Sequence, residues 1–256
     1  MIVHDDISQR SSFPPPAPER RLYVIGDVHG CAGRLERLLQ KIDADIDMAN
    51  MPLPHLVFVG DLVDRGDCAA DVIAHVHQLC DLYPDTVACL MGNHERMMLD
   101  FLDDPGGRGP RWLRYGGLQT LASYKLRTPL EVDTRDVPRL IDAAAELTQA
   151  MGAARLQWLR ALPLMWQSGN VWVVHAAAHP ATPMPEQSTR HLLWGVPEFF
   201  GVMRKDGQWV VHGHTPVATP QVDGGRIAVD TGAVYGGQLS AVRIDPDGRV
   251  GFLQVM

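Results

Sequence analysis

Lysine is almost missing from this 256-residue chain: Lys41, Lys125 and Lys205 stand alone among 23 basic side chains, set against 30 acidic ones. The formal net charge of -7 speaks against general attraction to a nucleic-acid backbone, which needs a basic surface. No apolar run reaches the roughly 20 residues that span a bilayer, so no membrane partner is expected. The opening MIVHDDISQR lacks the basic and apolar regions of a secretory leader, and a cytoplasmic home is the expectation. Cysteine is scarce too. Cys31, Cys68, Cys80 and Cys89 show no Cys-x-x-Cys spacing, which predicts free thiols rather than a zinc clip or a disulfide framework. One Cys-x5-Arg spacing occurs, Cys31 to Arg37, but its segment has helical periodicity and no glycine-rich phosphate cradle. A covalent cysteine mechanism is therefore set aside.

What is present is core-forming material. Hydrophobic residues make up 46% of the chain, enough for one substantial core. Residues 1–20, with Pro14, Pro15, Pro16 and Pro18, read as a disordered or loosely attached arm, and residues 21–256 as a single domain. RLYVIGDVHG begins with an apolar strand that breaks at Gly26, and CAGRLERLLQKI then repeats leucine at helical spacing. HLVFVGDLVDRG followed by CAADVIAHVHQLC repeats the plan, and TVACLMGNHERMMLDFL does so a third time. Three strand–loop–helix units predict an α/β sheet with polar residues gathered at the carboxyl ends of its strands. The middle, about residues 108–162, reads as two helical stretches. Trp166–His175, Gln208–Val211, Arg226–Val229, Gln238–Ile244 and Val250–Val255 read as β, which predicts a second, more antiparallel sheet. Its turns are expected at Asp223-Gly224-Gly225 and Asp245-Pro246-Asp247-Gly248.

The polar residues at those strand ends form a pattern. Asp27 and His29 follow the first strand, Asp61, Asp64 and Arg65 the second, Asn93 and His94 the third. His175 closes a later β stretch, and His212 and His214 flank Gly213 after another. Any one aspartate here is as readily a turn former or helix cap. Turn formation, however, tolerates several residues at each place. Repeated carboxylate, imidazole and amide oxygen at successive strand ends is what a divalent cation requires.

GDVHG (26–30), GDLVDRG (60–66) and GNHE (92–95) resemble, in order, the three signature motifs of the phosphoprotein phosphatases of bacterial type. His175 in VVHAA and His214 in HGHTP resemble that family's fourth and fifth metal motifs, and the likeness runs from Arg21 to about Ser240. It implies a calcineurin-like metallophosphoesterase fold, a four-layer α/β/β/α sandwich of two central mixed sheets. It implies that Asp27 and His29 hold one metal, that Asp61 bridges two, and that Asn93, His175 and His214 hold the second. Asp64 would orient His94 as proton donor, Arg65 would bind phosphate together with Asn93 and His94, and His212 would lie close by. The implied cofactors are two divalent ions, manganese first, with iron or zinc as alternatives. The chemistry agrees. Two ions roughly 3.5–4 Å apart can acidify a shared water for direct attack on phosphorus. The planar fork of Arg65 suits two phosphate oxygens, and a histidine beside a carboxylate can protonate a leaving alkoxide.

Two departures from the family pattern stand out. His175 is followed by Ala176-Ala177 where His-Ala-Gly is common. In HLLWGVPEFF (191–200), Val196 stands where a second phosphate-binding arginine usually follows the tryptophan. Arg111, Arg190 and Arg204 are the candidates to replace it. The expected function is a metal-dependent phosphatase acting on phosphoserine or phosphothreonine of a phosphoprotein or phosphopeptide, with phosphotyrosine as a further substrate, in a monomer. The alternatives are a diadenosine tetraphosphate hydrolase and a general small-molecule phosphomonoesterase, which share the metal motifs. A degenerate, non-catalytic binding module has only Val196 in its favour.

Overall fold

The computed structural model describes residues 13–46, 52–126 and 136–256. Its first half delivers three strand–helix units: β1 (Leu22–Ile25), α1 (Ala32–Asp45), β2 (His55–Phe58), α2 (Ala69–Leu82), β3 (Val87–Cys89) and α3 (Asn93–Asp103). The three strands run parallel, with Leu22 beside His55 and Leu56 beside Val87. Helices follow: α4 (Pro105–Trp112), a π-type turn over Leu113–Gly117, α5 (Leu118–Ser123), α6 (Val137–Met151) and α7 (Ala153–Arg160). Glycines break both expected helical stretches, Gly116 at φ 113° and Gly152 at φ 80°, conformations that an L-residue reaches only under strain.

The second half contributes β4 (Met165–Ser168), β5 (Val171–Val174), α8 (Thr189–Trp194), α9 (Glu198–Gly201), β6 (Trp209–His212), β7 (Gln221–Asp223), β8 (Arg226–Ala228), β9 (Leu239–Ile244) and β10 (Val250–Val255). The stretch read as one β segment over 166–175 is a hairpin that reverses at Gly169 and Asn170. Two five-stranded sheets result, in the orders β10-β9-β1-β2-β3 and β4-β5-β6-β8-β7. Here the sequence expectation is corrected. The tail strands do not extend the second sheet: β9 lies antiparallel to β1 and completes the first. All six residues of β9 are buried, as suits a strand flanked by neighbours and covered on both faces. In the second sheet β5, β6 and β8 are parallel, and only the outer strands β4 and β7 are antiparallel.

The layering follows from the two-residue period of the strands. In β1, Tyr23 and Ile25 face α1 and α2, while Leu22 and Val24 face the other sheet. Val57, Val171, Val173, Trp209, Val211, Ile227, Val242 and Ile244 fill the space between the sheets. Val174 and Val210 face outward onto Leu192, Val196 and Phe199 around α8 and α9. The chain is therefore a four-layer sandwich with helices outside two mixed sheets.

Where it is described, the amino-terminal arm hydrogen-bonds to the second sheet. Phe13 sets its ring against Trp209 at 5.5 Å, and the Pro14 carbonyl accepts from Trp209 Nε1 at 2.7 Å. The Pro15 carbonyl accepts from Asn170 Nδ2, the Ala17 N–H donates to Asn170 Oδ1, and the Glu19 N–H donates to Ser168 Oγ. Residues 13–19 are thus fastened to the second sheet. Residues 1–12 of the expected arm lie outside the described residues.

Candidate metal centre

The candidate residues leave the carboxyl ends of β1, β2, β3, β5 and β6 on tightly folded loops. Six described non-glycine residues have a positive φ, and five belong to the set: His29 (43°), Asp61 (52°), Asp64 (72°), Arg65 (68°) and His214 (65°). Such conformations cost about 1–2 kcal/mol each, so the surroundings must hold them. The loops after β1 and β2 are joined to each other: the Val28 and His29 N–H groups both donate to the Asp61 carbonyl, and the Gly30 N–H donates to Leu62. Gly30 is required there, because a Cβ would lie 2.7 Å from the Gly66 carbonyl oxygen. A buried carboxylate then ties the second loop to the third. Glu95 Oε2 accepts from the N–H groups of Asp61 (2.8 Å) and Gly92 (3.0 Å), and Oε1 from those of Leu62 (2.8 Å) and Val63 (3.2 Å).

On this frame the side chains converge. Asp61 Oδ2 lies 3.5 Å from His29 Nε2, 3.5 Å from His175 Nε2 and 4.0 Å from His94 Nε2. Asn93 Oδ1 lies 2.8 Å from His175 Nε2 and 2.9 Å from His214 Nδ1. Two triads within 4.8 Å emerge, His29–Asp61–His94 and Asp61–His175–His214, and they share Asp61. Asp27 stands outside both triads but against their edge, its two carboxylate oxygens accepting from the His214 N–H at 3.1 Å. Gly213 permits that approach, since a Cβ there would come within 2.0 Å of Asp27 Oδ1.

The electrostatics fit two divalent cations. Burial, with Asp230 and Asp61 as like-charged neighbours, pushes Asp27 well above the ordinary carboxylate range. Burial and Glu95 do the same to Asp61, and burial holds His29 and His175 well below the usual imidazole value. Carboxylates that resist ionising without countercharge, beside neutral imidazoles, are what bound cations would relieve. The tautomers agree. His29 Nδ1 donates to the Val63 carbonyl at 2.7 Å and His175 Nδ1 to the Val59 carbonyl at 3.0 Å, which leaves each Nε2 with a lone pair facing inward. At His29 that lone pair is met by a positive group, Arg65 Nη1, at 2.9 Å. The donors are nitrogen and oxygen without thiolate, a set suited to divalent ions of the manganese, iron and zinc type.

His94 has a different setting. Its Nδ1 lies 2.6 Å from Asp64 Oδ2, while Nε2 faces the cluster. Asp64 is fixed by two further donors, Trp112 Nε1 at 2.9 Å and Thr120 Oγ1 at 2.7 Å, and its own N–H donates to Thr120 Oγ1. Burial pushes Asp64 up to about 8, against the pull of Thr120 and Trp112, and holds His94 down to about 3. Both ring and carboxyl are thereby biased to their neutral forms, and a negative charge entering the site favours protonation of the ring. Arg65 reaches beyond His29 to the rim, its guanidinium 5.4 Å from the centroid of the exposed Tyr235 ring.

His212 is not drawn into the cluster. Its ring meets Phe199 at 4.9 Å and Phe200 at 5.9 Å, and Nδ1 lies 3.1 Å from the Gly213 carbonyl. Val196 is buried in the apolar patch of α8 and α9. Of the three arginines weighed against it, Arg204 is excluded. It is 2% exposed and bound to the carbonyls of His179 and Thr182 and to Asp206. Sequence reasoning missed Glu95, Trp112 and Thr120. Only Glu95 carried a signal, as the last letter of GNHE, and its role there was not read.

A sequence profile of the calcineurin-like phosphoesterases matches residues 20–218, and the chain belongs to that family. It is 28% identical over 240 residues to an asymmetrical bis(5'-nucleosyl)-tetraphosphatase, PrpE, of Oceanobacillus iheyensis, a match spanning 87% of this chain and 88% of that one. It is also 28% identical to serine/threonine-protein phosphatase 1 of Salmonella typhimurium, over 88% and 92% of the two chains. The fold is shared with the crystal structure of a proposed diadenosine tetraphosphatase (TM-score 0.62, 23% identity, 93% and 94% coverage). It is shared as well with a cold-active protein-tyrosine phosphatase of Shewanella (TM-score 0.58, 20% identity, 93% and 80% coverage). The chain is a metal-dependent hydrolase with two sites suited to divalent cations.

Proposed function

We propose that this chain hydrolyses dinucleoside tetraphosphates asymmetrically, to a nucleoside triphosphate and a monophosphate, with two manganese ions. The observation that carries the reading is the buried Val196. A phosphomonoester dianion is held mostly by its single phosphate, and with no arginine at this position that grip falls to Arg65. A dinucleoside tetraphosphate spreads its binding over four phosphates and two nucleosides and tolerates the loss. The asymmetrical tetraphosphatase relatives support this, being matched along 86–87% of this chain and 87–90% of their own.

In this reading the bound cations supply Lewis acidity and a nucleophilic water at neutral pH. Asp27, His29, Asp61, Asn93, His175 and His214 hold them. Arg65 orients the phosphoryl oxygens, and His94, steadied by Asp64, gives a proton to the departing group. The His94–Asp64 pair also supports a second reading. A proton donor matters most for a poor alkoxide leaving group, which is the case for phosphoserine, and the Salmonella relative is named as a protein phosphatase.

Parallel initial rates with Mn2+ on diadenosine tetraphosphate, a phosphoserine peptide and an aryl phosphate separate the readings. Equal release of ATP and AMP, with a kcat/KM at least tenfold above that on the peptide, is expected. ADP as sole product, or a preference for the peptide, would overturn the proposal.

A further inference from the structure

With Val196 in the core and Arg204 consumed by Asp206 and two carbonyls, Arg111 and Arg190 remain as candidates for the missing phosphate grip. Arg190 is exposed at the start of α8 and makes no ion pair or ring contact among the described residues. Arg111 is held in place. It ends the last turn of α4, and its guanidinium lies 4.6 Å from the centroid of the Trp194 ring, the same tryptophan that Val196 follows.

The two elements that carry this stack also brace the metal centre. On one side, the residue after Arg111 is Trp112, whose Nε1 holds Asp64 and through it His94. On the other, the Leu192 carbonyl, two residues before Trp194, accepts from the N–H of Ala176, the neighbour of His175. A guanidinium set over a ring is steadied by the cation–π contact and still has N–H donors to offer an anion. No carboxylate among the described residues pairs with Arg111. The same holds for Arg108 and Arg114, exposed at three-residue spacing before and after it along the same edge. The edge is therefore positive and, among the described residues, has no paired carboxylate.

We infer that Arg111, laid on Trp194, is the second phosphate-binding cation of this enzyme and grips a phosphate flanking the scissile one. That the gripped group belongs to a polyphosphate chain rests on the tetraphosphatase reading; that Arg111 binds phosphate does not. Trp194 is the positioning residue, keeping the fork in one plane, and the recognised chemistry is two or more phosphates in series.

The test uses the Mn2+-loaded enzyme at fixed free Mn2+, with aryl phosphate as reporter and orthophosphate or inorganic tripolyphosphate as inhibitors. Arg111→Ala should weaken tripolyphosphate inhibition roughly 10–100-fold, the value of a lost charge-assisted contact, and weaken orthophosphate inhibition roughly tenfold less than that. Arg111→Lys should recover little, because a point charge cannot make two parallel bonds. With diadenosine tetraphosphate, KM should rise by a similar factor, more than any change in kcat. Unchanged tripolyphosphate inhibition in R111A, with an unaltered melting temperature, would overturn the inference, as would equal weakening of both inhibitors, which would place Arg111 on the scissile phosphate. A wild-type enzyme inert on diadenosine tetraphosphate, with R111A still weakened for tripolyphosphate, would remove the tetraphosphatase reading and leave Arg111 standing.

Discussion

Replacing Glu95 by glutamine changes one oxygen to an amide nitrogen and should disable the joint between the second and third loops. The carboxylate accepts four backbone N–H bonds, two on each oxygen. Glutamine keeps one acceptor oxygen and turns an NH2 toward the other pair, so two buried N–H groups lose their partners. At about 1–3 kcal/mol for each, the loss is about 2–6 kcal/mol, a large share of the roughly 5–15 kcal/mol that stabilises a domain. An opposing effect exists. Glu95 adds to the negative charge around Asp61, so removing its charge relieves repulsion. Bound cations cancel that repulsion in advance, so the penalty should be largest in the metal-loaded protein and nearer the low end when metals are stripped. Urea unfolding of both forms, with Mn2+ titration by calorimetry, reads the difference. Mn2+ affinity should fall as well, because Asp61 owes its φ of 52° partly to the bond from its own N–H. A stripped E95Q protein more stable than stripped wild type would refute the reasoning and make Glu95 a charge burden rather than a brace.

Asp61→Asn should abolish both metal sites at once, seen as metal content falling from two ions to near zero, because both triads use that carboxylate. The stripped D61N protein should melt above stripped wild type, since a buried like charge is gone. Gly92→Ala puts a Cβ 2.2 Å from Asp61 Oδ1 and should lose metal, whereas Gly152→Ala, with nothing within 4 Å, should cost only the roughly 1–2 kcal/mol of its left-handed backbone. His214→Ala should strip metal while His212→Ala keeps it and loses stability through its packing on Phe199; equal metal loss in both would contradict the assignment. His94→Asn should retain metal and slow a phosphoserine peptide ~10²–10⁴-fold, the usual value of general acid catalysis, but slow an aryl phosphate far less. Equal losses on both would remove the proton-donor role.

The candidate cluster was legible because ligand chemistry restricts residue type. At the ends of β1, β2 and β3, Asp27, Asp61 and Asn93 supply side-chain oxygens and His29 and His94 supply nitrogen. The supports were not legible, because any acceptor in the right place would serve. Thr120 and Trp112 meet Asp64 across 56 and 48 residues of chain, from helices with no motif of their own. Sheet membership of the tail was hidden for a related reason: β9 is buried on both faces, so it carries no alternation to say which sheet covers it. The attachments of residues 13–19 were not legible because proline lacks only the donor. Pro14 and Pro15 fasten the chain through their carbonyls, which sheet propensity does not weigh.

The five left-handed residues of the loops set a condition on the whole molecule. At about 1–2 kcal/mol each they withhold about 5–10 kcal/mol, comparable to the net stability of a domain. The crowding of Asp27 and Asp61 adds a further charge penalty in the absence of cations. Both penalties fall on the same few residues, and both serve to aim ligand atoms at one point. Bonds from Glu95 and Thr120 and the joined loops after β1 and β2 hold the backbone part. The charge part is lifted by positive ions at Asp61 or by protonation of the carboxylates. Stability and metal binding are therefore coupled through a single carboxylate, and a perturbation at Asp61 or at its brace Glu95 reaches both sites before it reaches the core.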